Sequence, residues 1–325
     1  MRFLFLVLIS ICFLATGCTY FNSINGISSA SDQLDTSGYT EKDFFSAIQD
    51  DLKGGFWQTA IEKLRSLEAQ YPFGDYAEQA QLELIYAHLK AGEYDSAISV
   101  AERFMRLHPQ HENVDYAYYI KGVSSFVKND GMFGKLLPID ETKRDPGSAR
   151  NSFSAFSELL NRFPESPYAP DAQKRMIYLR NILARHEIHA ANYFFTRGAY
   201  LAAANRGRYV VENFQRTPAV PDGLAVMAQA YYLMDMHDLS GEAAKLLAQN
   251  YSNHTSLNSD GSFKYQEQSA SIERSWTNSL SAGLFDKPES IGFDTRYIFN
   301  DRYKELEGEE LEETWMDIAT FGIFR

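Results

Sequence analysis

The chain has 325 residues and is acidic: 43 Asp and Glu against 31 Lys and Arg give a net charge of −12. That balance excludes the basic footprint of a nucleic-acid-binding protein. Two cysteines, Cys12 and Cys18, exclude a disulfide-built fold, and beyond the N-terminal segment no apolar run is long enough to span a bilayer.

At the N-terminus one positive charge, Arg2, precedes the apolar run Phe3–Leu14, and small residues follow. This is the pattern of a cleaved secretory signal, expected over residues 1–17. The next residue is Cys18. The run Leu14-Ala15-Thr16-Gly17-Cys18 resembles a lipobox, in which the cysteine is acylated on its thiol and, after cleavage, on its amino group; Ala15 stands where Leu is usual. With Cys12 removed in the signal, Cys18 is the sole thiol left, and acylation gives it a purpose. Each buried CH₂ contributes roughly 0.8 kcal/mol, so several acyl chains make a stable anchor. Thr19, where an Asp would retain such a protein at the inner membrane, favours the outer membrane. The alternative is an ordinary signal cut near Gly17. Residues 18–40, rich in Ser, Asn and Gly, read as a flexible tether.

A repeat then begins. Trp57, Ala60, Leu64, Leu67 and Pro72 are echoed by Tyr94, Ala97, Ala101, Phe104 and Pro109. Further copies are Ala149, Ser152, Phe156, Leu159, Pro164; Tyr200, Ala203, Gly207, Val210, Gln215; and His237, Ser240, Ala244, Leu247, Ser252. Offsets of three and four put these positions on one helical face, small residues admit a neighbouring helix, and Pro ends the helix. Gly55, Gly92 and Gly198 sit two residues before the aromatic, at the turn from a preceding helix. Helix–turn–helix units with this pattern resemble tetratricopeptide repeats. The expected fold is all-α: a tetratricopeptide-repeat superhelix of about five hairpins over residues 41–255. Two irregularities stand out. Ala169–Arg185 keeps helical periodicity and predicts an unusually long helix. Gly131–Pro146, with Gly, Pro and charge, predicts an ordered surface loop.

Past residue 255 the register is lost. Residues 256–325 hold 14 acids and 7 bases and form an acidic C-terminal extension. Ser252–Ser271 is polar and reads as a linker. Residues 303–324 suit an acidic amphipathic helix with Leu306, Leu311, Trp315, Ile318 and Phe321 roughly on one side. It either folds back on the repeats or docks a partner.

The sequence offers no catalytic constellation and no cofactor motif. Arg185-His186-Glu187-Ile188-His189 places two histidines three apart, whereas the zinc-protease pattern needs them four apart. A pair on the surface is the expectation, and no metal is called for. His108 and His111 are read as turn residues. Binding, not catalysis, is the expected activity.

The most specific stretches are Gln70-Tyr71-Pro72-Phe73-Gly74-Asp75-Tyr76, Arg103-Phe104, His108-Pro109, the insertion with Phe133-Gly134 and Arg144-Asp145-Pro146, and Asn205-Arg206. Together with the lipobox these resemble the BamD (ComL) family of lipoproteins of the β-barrel assembly machinery in Gram-negative outer membranes, over about residues 41–252. Gln215, where Pro is frequent, and the acidic tail depart from the family. The resemblance implies a periplasm-facing scaffold on the outer membrane. Its partners would be the POTRA region of the barrel-forming subunit BamA, the other lipoproteins of that complex and unfolded outer-membrane proteins. It assigns Asn205 and Arg206 to BamA and the N-terminal repeats to substrate; the alternative for Arg206 is an intramolecular ion pair with a neighbouring hairpin through Glu242. Tyr71, Pro72, Phe73, Gly74 and Tyr76 either close the first repeat or dock an extended substrate strand; Gly74 and Tyr76 suggest open backbone and a stacking ring. The competing reading is a repeat adaptor for cell-wall or division machinery.

Overall fold

The computed structural model describes residues 38–134, 140–267, 291–296 and 298–299. Cys18, the tether as far as residue 37 and the predicted helix over 303–324 lie outside these residues. Among the described residues the secondary structure is ten α-helices, one 3-10 turn and a single isolated antiparallel bridge, Leu257 with Phe263. The helices are α1 (Glu41–Gly54), α2 (Trp57–Gln70), α3 (Ala77–Lys90), α4 (Tyr94–Leu107), α5 (Val114–Gly134), α6 (Gly147–Arg162), α7 (Ala169–Thr196), α8 (Tyr200–Asn213), α9 (Val220–Leu233) and α10 (His237–Asn250). They fall into two compact units, one ending at Ala80 and the other beginning at Gln81.

In the first unit Thr40 opens α1 with a capping box: its hydroxyl accepts from the Asp43 amide, and the Asp43 carboxylate accepts from the Thr40 amide at 3.0 Å. Phe44, Ile48 and Leu52 then bury one face of α1, and Ala60, Ile61, Leu64 and Leu67 bury the matching face of α2. Ala60, Leu64 and Leu67 are the repeat positions read from the sequence, and Trp57, the fourth helical one, is half-buried.

In the second unit consecutive helices from α4 to α10 pack pairwise, and α9 also touches α7. The repeat register holds throughout: Ala97, Ala101 and Phe104, then Ala149, Ser152, Phe156 and Leu159, then Ala203, Gly207 and Val210, then Ser240 and Leu247 are buried. In the last copy Ala243 carries the burial and Ala244 is only half-buried. The small residues do admit close neighbours. A Cβ on Gly207 would come within 2.7 Å of the Gly223 carbonyl oxygen, and one on Gly122 within 2.5 Å of the Phe156 ring. The long helix predicted after Ala169 is α7, with 28 residues against 14 in most others. The predicted insertion loop is helical at its start, because α5 runs on to Gly134, and it ends in the 3-10 turn Glu141–Lys143.

Helix ends follow one rule. α2, α4, α6, α8 and α10 stop at Tyr71, His108, Phe163, Phe214 and Tyr251, each an aromatic whose amide donates to the carbonyl of the last packing residue, Leu67, Phe104, Leu159, Val210 or Leu247. Pro follows in three copies, yet Gln215 and Ser252 allow the same stop, so Pro is not required for it. Gly55, Gly92 and Gly198 have φ of 73°, 77° and 70°, as a tight left-handed turn demands. In the last hairpin Asp235 takes that turn at φ 57°.

Residues 252–267 are not a free linker. The Gln229 side chain donates to the Gln266 carbonyl at 2.6 Å and accepts from its amide at 3.0 Å, and Tyr265 stacks on Tyr232 at 4.3 Å. Of the C-terminal extension, residues 291–296 and 298–299 lie against the repeats: Phe293, Thr295 and Phe299 are buried, the two aromatics in the same apolar core as α7 to α10.

Candidate functional site

In the first unit the Tyr71–Tyr76 turn is braced by α1. The Tyr71 hydroxyl donates to the Tyr39 carbonyl at 2.8 Å, and its ring meets Phe44 edge-on at 6.3 Å. Tyr76 stacks on Phe45 at 4.3 Å, and its amide donates to Glu41 Oε1 at 2.7 Å. Gly74 lies so close to the Glu41 carboxylate that any side chain there would overlap it, and its amide donates to the Tyr71 carbonyl at 3.1 Å. The open backbone and free ring expected of Gly74 and Tyr76 are therefore engaged within the unit. Pro72 is exposed, and Phe73 is 99% exposed. A wholly exposed Phe on a braced turn offers a partner apolar surface that costs little to order.

In the second unit Asn205 and Arg206 lie on α8. Arg206 Nη1 donates to Glu187 Oε2 at 2.6 Å, and the guanidinium lies 5.9 Å from the centre of the Phe194 ring. Glu187, on α7, is 4% exposed and also accepts from Arg150 of α6 at 3.3 Å. The intramolecular partner expected from sequence, Glu242, is exposed on α10; the acid that pairs is Glu187. Arg206 remains 43% exposed, so one edge of its fork faces solvent. Asn205 accepts from Arg208 at 2.8 Å. Around them Leu201, Asn205, Arg208, Tyr209 and Glu212 are all exposed at spacings of three and four, which makes them one outward stripe of α8. Leu201 and Tyr209 escaped the sequence reading because the repeat template marks only inward positions.

The two histidines of α7 are not a surface pair: both are half-buried, because they hold the end of the insertion. His189 Nε2 lies 2.9 Å from the Thr142 hydroxyl, and His186 Nδ1 lies 3.2 Å from the Thr142 carbonyl. Asp140 beside them takes both Nη atoms of Arg296, at 2.8 and 3.4 Å. Burial pushes the Asp140 carboxyl up, but hydrogen bonds from Arg296 and Thr142 outweigh it and hold the group well below the ordinary carboxylate range. Among the described residues no cluster of His, Cys, Asp and Glu has the makings of a metal site, and no helix is long and apolar enough to cross a membrane.

A buried carboxylate in α9 organises the remaining polar groups. Asp222, fully buried, takes Arg185 Nη1 at 2.6 Å, His254 Nε2 at 3.2 Å, and the amide and hydroxyl of Thr295 at 3.0 and 2.6 Å. Neither Asp222 nor Thr295 was singled out from sequence. A lone Asp at the third position of a helix, here after Val220 and Pro221, reads as an N-terminal charge and nothing more.

These features define a class: a protein of helical hairpins in tetratricopeptide register. The YfiO family profile, described as an outer membrane lipoprotein, matches residues 38–246. Three relatives, each an outer membrane protein assembly factor BamD, agree. That of Neisseria gonorrhoeae is 37% identical over 216 residues, 66% of this chain and 81% of its own. That of Vibrio cholerae is 37% identical over 63% of this chain and 86% of its own, and that of Pasteurella multocida 33% identical over 69% and 86%. Among solved structures, the nearly identical TPR-like repeats of a Podosopora anserina kinesin light chain overlay with a TM-score of 0.32 at 12% identity, covering 64% of this chain and 92% of that one. The chain belongs to the YfiO family of outer membrane lipoproteins.

Proposed function

We propose that this protein is a lipid-anchored scaffold of the outer-membrane β-barrel assembly machinery, held at the periplasmic face of the outer membrane through Cys18. The observation that carries the reading is the family match over residues 38–246, which includes both exposed surfaces, together with 37% identity to BamD assembly factors. The α8 stripe with Asn205 and Arg206 takes the POTRA region of BamA. Its chemistry suits a partner with an apolar contact and a carboxylate: Leu201 and Tyr209 supply apolar area, and the open edge of Arg206 supplies a planar donor fork. Phe73, with Pro72, offers unfolded outer-membrane proteins an aromatic anchor, while Tyr71, Gly74 and Tyr76 hold the turn in shape. The role is non-catalytic, and other lipoproteins of the complex share the scaffold.

Affinity capture from detergent-solubilised outer membranes tests this. BamA is expected as the dominant companion, and Cys18→Ala should yield protein that buffer alone releases from membranes. Capture of cell-wall or division proteins in place of BamA would replace the reading with an adaptor role.

A further inference from the structure

Residues 291–299 meet the second unit in the way a peptide meets its receptor. The Asn192 side chain clamps the backbone of Phe293 on both sides, accepting from its amide at 3.0 Å and donating to its carbonyl at 2.8 Å. Such a clamp reads extended backbone whatever the side chain. Asp222 then takes the next-but-one amide, that of Thr295, together with the Thr295 hydroxyl at 2.6 Å. Side chains add selectivity. Phe293 packs on Phe195 at 5.9 Å; Phe299 lies across His254 and edge-on to Tyr251, at 6.0 and 5.4 Å. Asp294 reaches Arg185 at 3.3 Å, and Arg296 forks onto Asp140. Backbone clamps, two aromatic anchors and alternating charges are the parts of an extended-peptide site.

Receptor and occupant have different standing in the chain. Asp140, Arg185, Asn192, Phe195 and Asp222 all lie inside the family match at 38–246, whereas the segment that fills the groove lies beyond it. Twenty-odd intervening residues, 268–290, separate the occupant from the last packed residue of the hairpins. Because occupant and groove belong to one chain, the segment meets the groove at a raised effective concentration, which suits a site of modest intrinsic affinity.

We propose that the face of α7 and α9 around Asn192 and Asp222 is a groove for a peptide of the pattern Phe-acid-Thr-base, extended as far as the Thr and turning helical toward a second aromatic, and that the segment from Ile291 to Phe299 is its built-in ligand. The groove then accepts such a peptide from another chain only when this segment leaves. This goes beyond the assembly role above and does not depend on BamA.

The test keeps the full chain and inserts a sequence-specific protease site between residues 268 and 290. After cleavage the C-terminal fragment should stay with the body on gel filtration. An excess of synthetic peptide spanning residues 289–301 should displace it, and the same peptide carrying a fluorophore should bind the emptied body. Asn192→Ala should weaken that binding at least tenfold, while Glu242→Ala, outside the groove, should leave it within twofold. The proposal is overturned if the fragment cannot be exchanged without the body losing its helical circular dichroism, because the segment is then a fixed part of the core. It is equally overturned if labelled peptide binds the Asn192→Ala body as well as the unaltered one.

Discussion

Arg206 Nη1 donates to Glu187 Oε2 at 2.6 Å, and this acid is almost wholly buried while the arginine keeps one edge in solvent. The pair therefore ties α8 to α7 and also presents a cation. Arg206→Ala leaves Glu187 with Arg150 alone, at 3.3 Å, and should cost about 1–2 kcal/mol of stability, the lower part of the usual range because the arginine is half-exposed. It should also weaken binding to the BamA POTRA region more than tenfold. Glu187→Gln separates the two roles, since it frees the guanidinium without deleting it. Affinity measured by calorimetry should stay within about threefold for this variant. If the two substitutions weaken binding equally, the ion pair shapes the surface and Arg206 does not itself touch BamA.

Phe73 and Tyr76 should respond in opposite ways. Phe73→Ser removes a ring that touches solvent alone, so urea unfolding should move by no more than about 0.5 kcal/mol. Capture of C-terminal peptides of outer-membrane proteins by a photocrosslinker at position 72 should fall several-fold. Tyr76→Ala removes the ring stacked on Phe45 and should cost about 1–3 kcal/mol. Undiminished capture by the Phe73→Ser chain would move the substrate surface away from this turn.

Glycine substitutions read out the packing directly. Gly207→Ala drives a methyl group against the Gly223 carbonyl between α8 and α9 and should destabilise by about 1–3 kcal/mol. Gly241 in α10 meets nothing, so Gly241→Ala should stabilise by about 0.5–1 kcal/mol through helix propensity. Asp235→Gly should also stabilise, by up to about 1 kcal/mol, since a left-handed residue without a Cβ carries no steric cost. Thermal melts of the three variants check the set, and a stable Gly207→Ala protein would mean that the two helices part more easily than their contact implies.

The hairpins were legible because their signal is local. Ala97, Ala101 and Phe104 lie within one helix, and a template of offsets finds them without knowing their neighbours. Chain stops were legible for a partly mistaken reason: Pro72, Pro109 and Pro164 mark them, but the aromatic before each, from Tyr71 to Tyr251, is what all five copies share. The polar network was hidden. Asp222 meets Arg185 across 37 residues and Thr295 across 73, and no spacing rule links positions that only the tertiary fold brings together. For the same reason Arg185 to His189 read as a failed metal motif, when Arg185 binds Asp222, both histidines meet Thr142, and Glu187 takes Arg206 and Arg150. Gln229 and Gln266 likewise look like two ordinary polar residues until the fold sets one against the other's backbone.

Asp222 should make the C-terminal docking sensitive to acid alone. Burial pushes its carboxyl up, but the hydrogen bond from His254, the charge of Arg185 and the hydrogen bonds from Thr295 and Arg185 outweigh it and hold the group below the ordinary 3.8. A carboxyl lowered in the folded chain contributes stability that is fully present above its unfolded value and is lost as pH falls through the folded one. Between about pH 5 and pH 8 this group should therefore leave stability flat, and the loss should begin only below about pH 4. The groups facing it are Arg185 and His254, and Asp294 shares Nη1 of Arg185 with it. Asp222→Asn keeps the shape but removes the charge, leaving Arg185 buried without its main partner. It should cost about 3–5 kcal/mol near neutrality. It should also remove the part of the acid dependence that begins below pH 4. Urea unfolding at about pH 7, 5 and 3.5, with hydrogen exchange of residues 291–296 followed in parallel, separates the two effects. Should the Asn variant lose stability in acid as steeply as the unaltered chain, the acid-sensitive group would have to be sought at Asp140 and its contacts with Arg296 and Thr142.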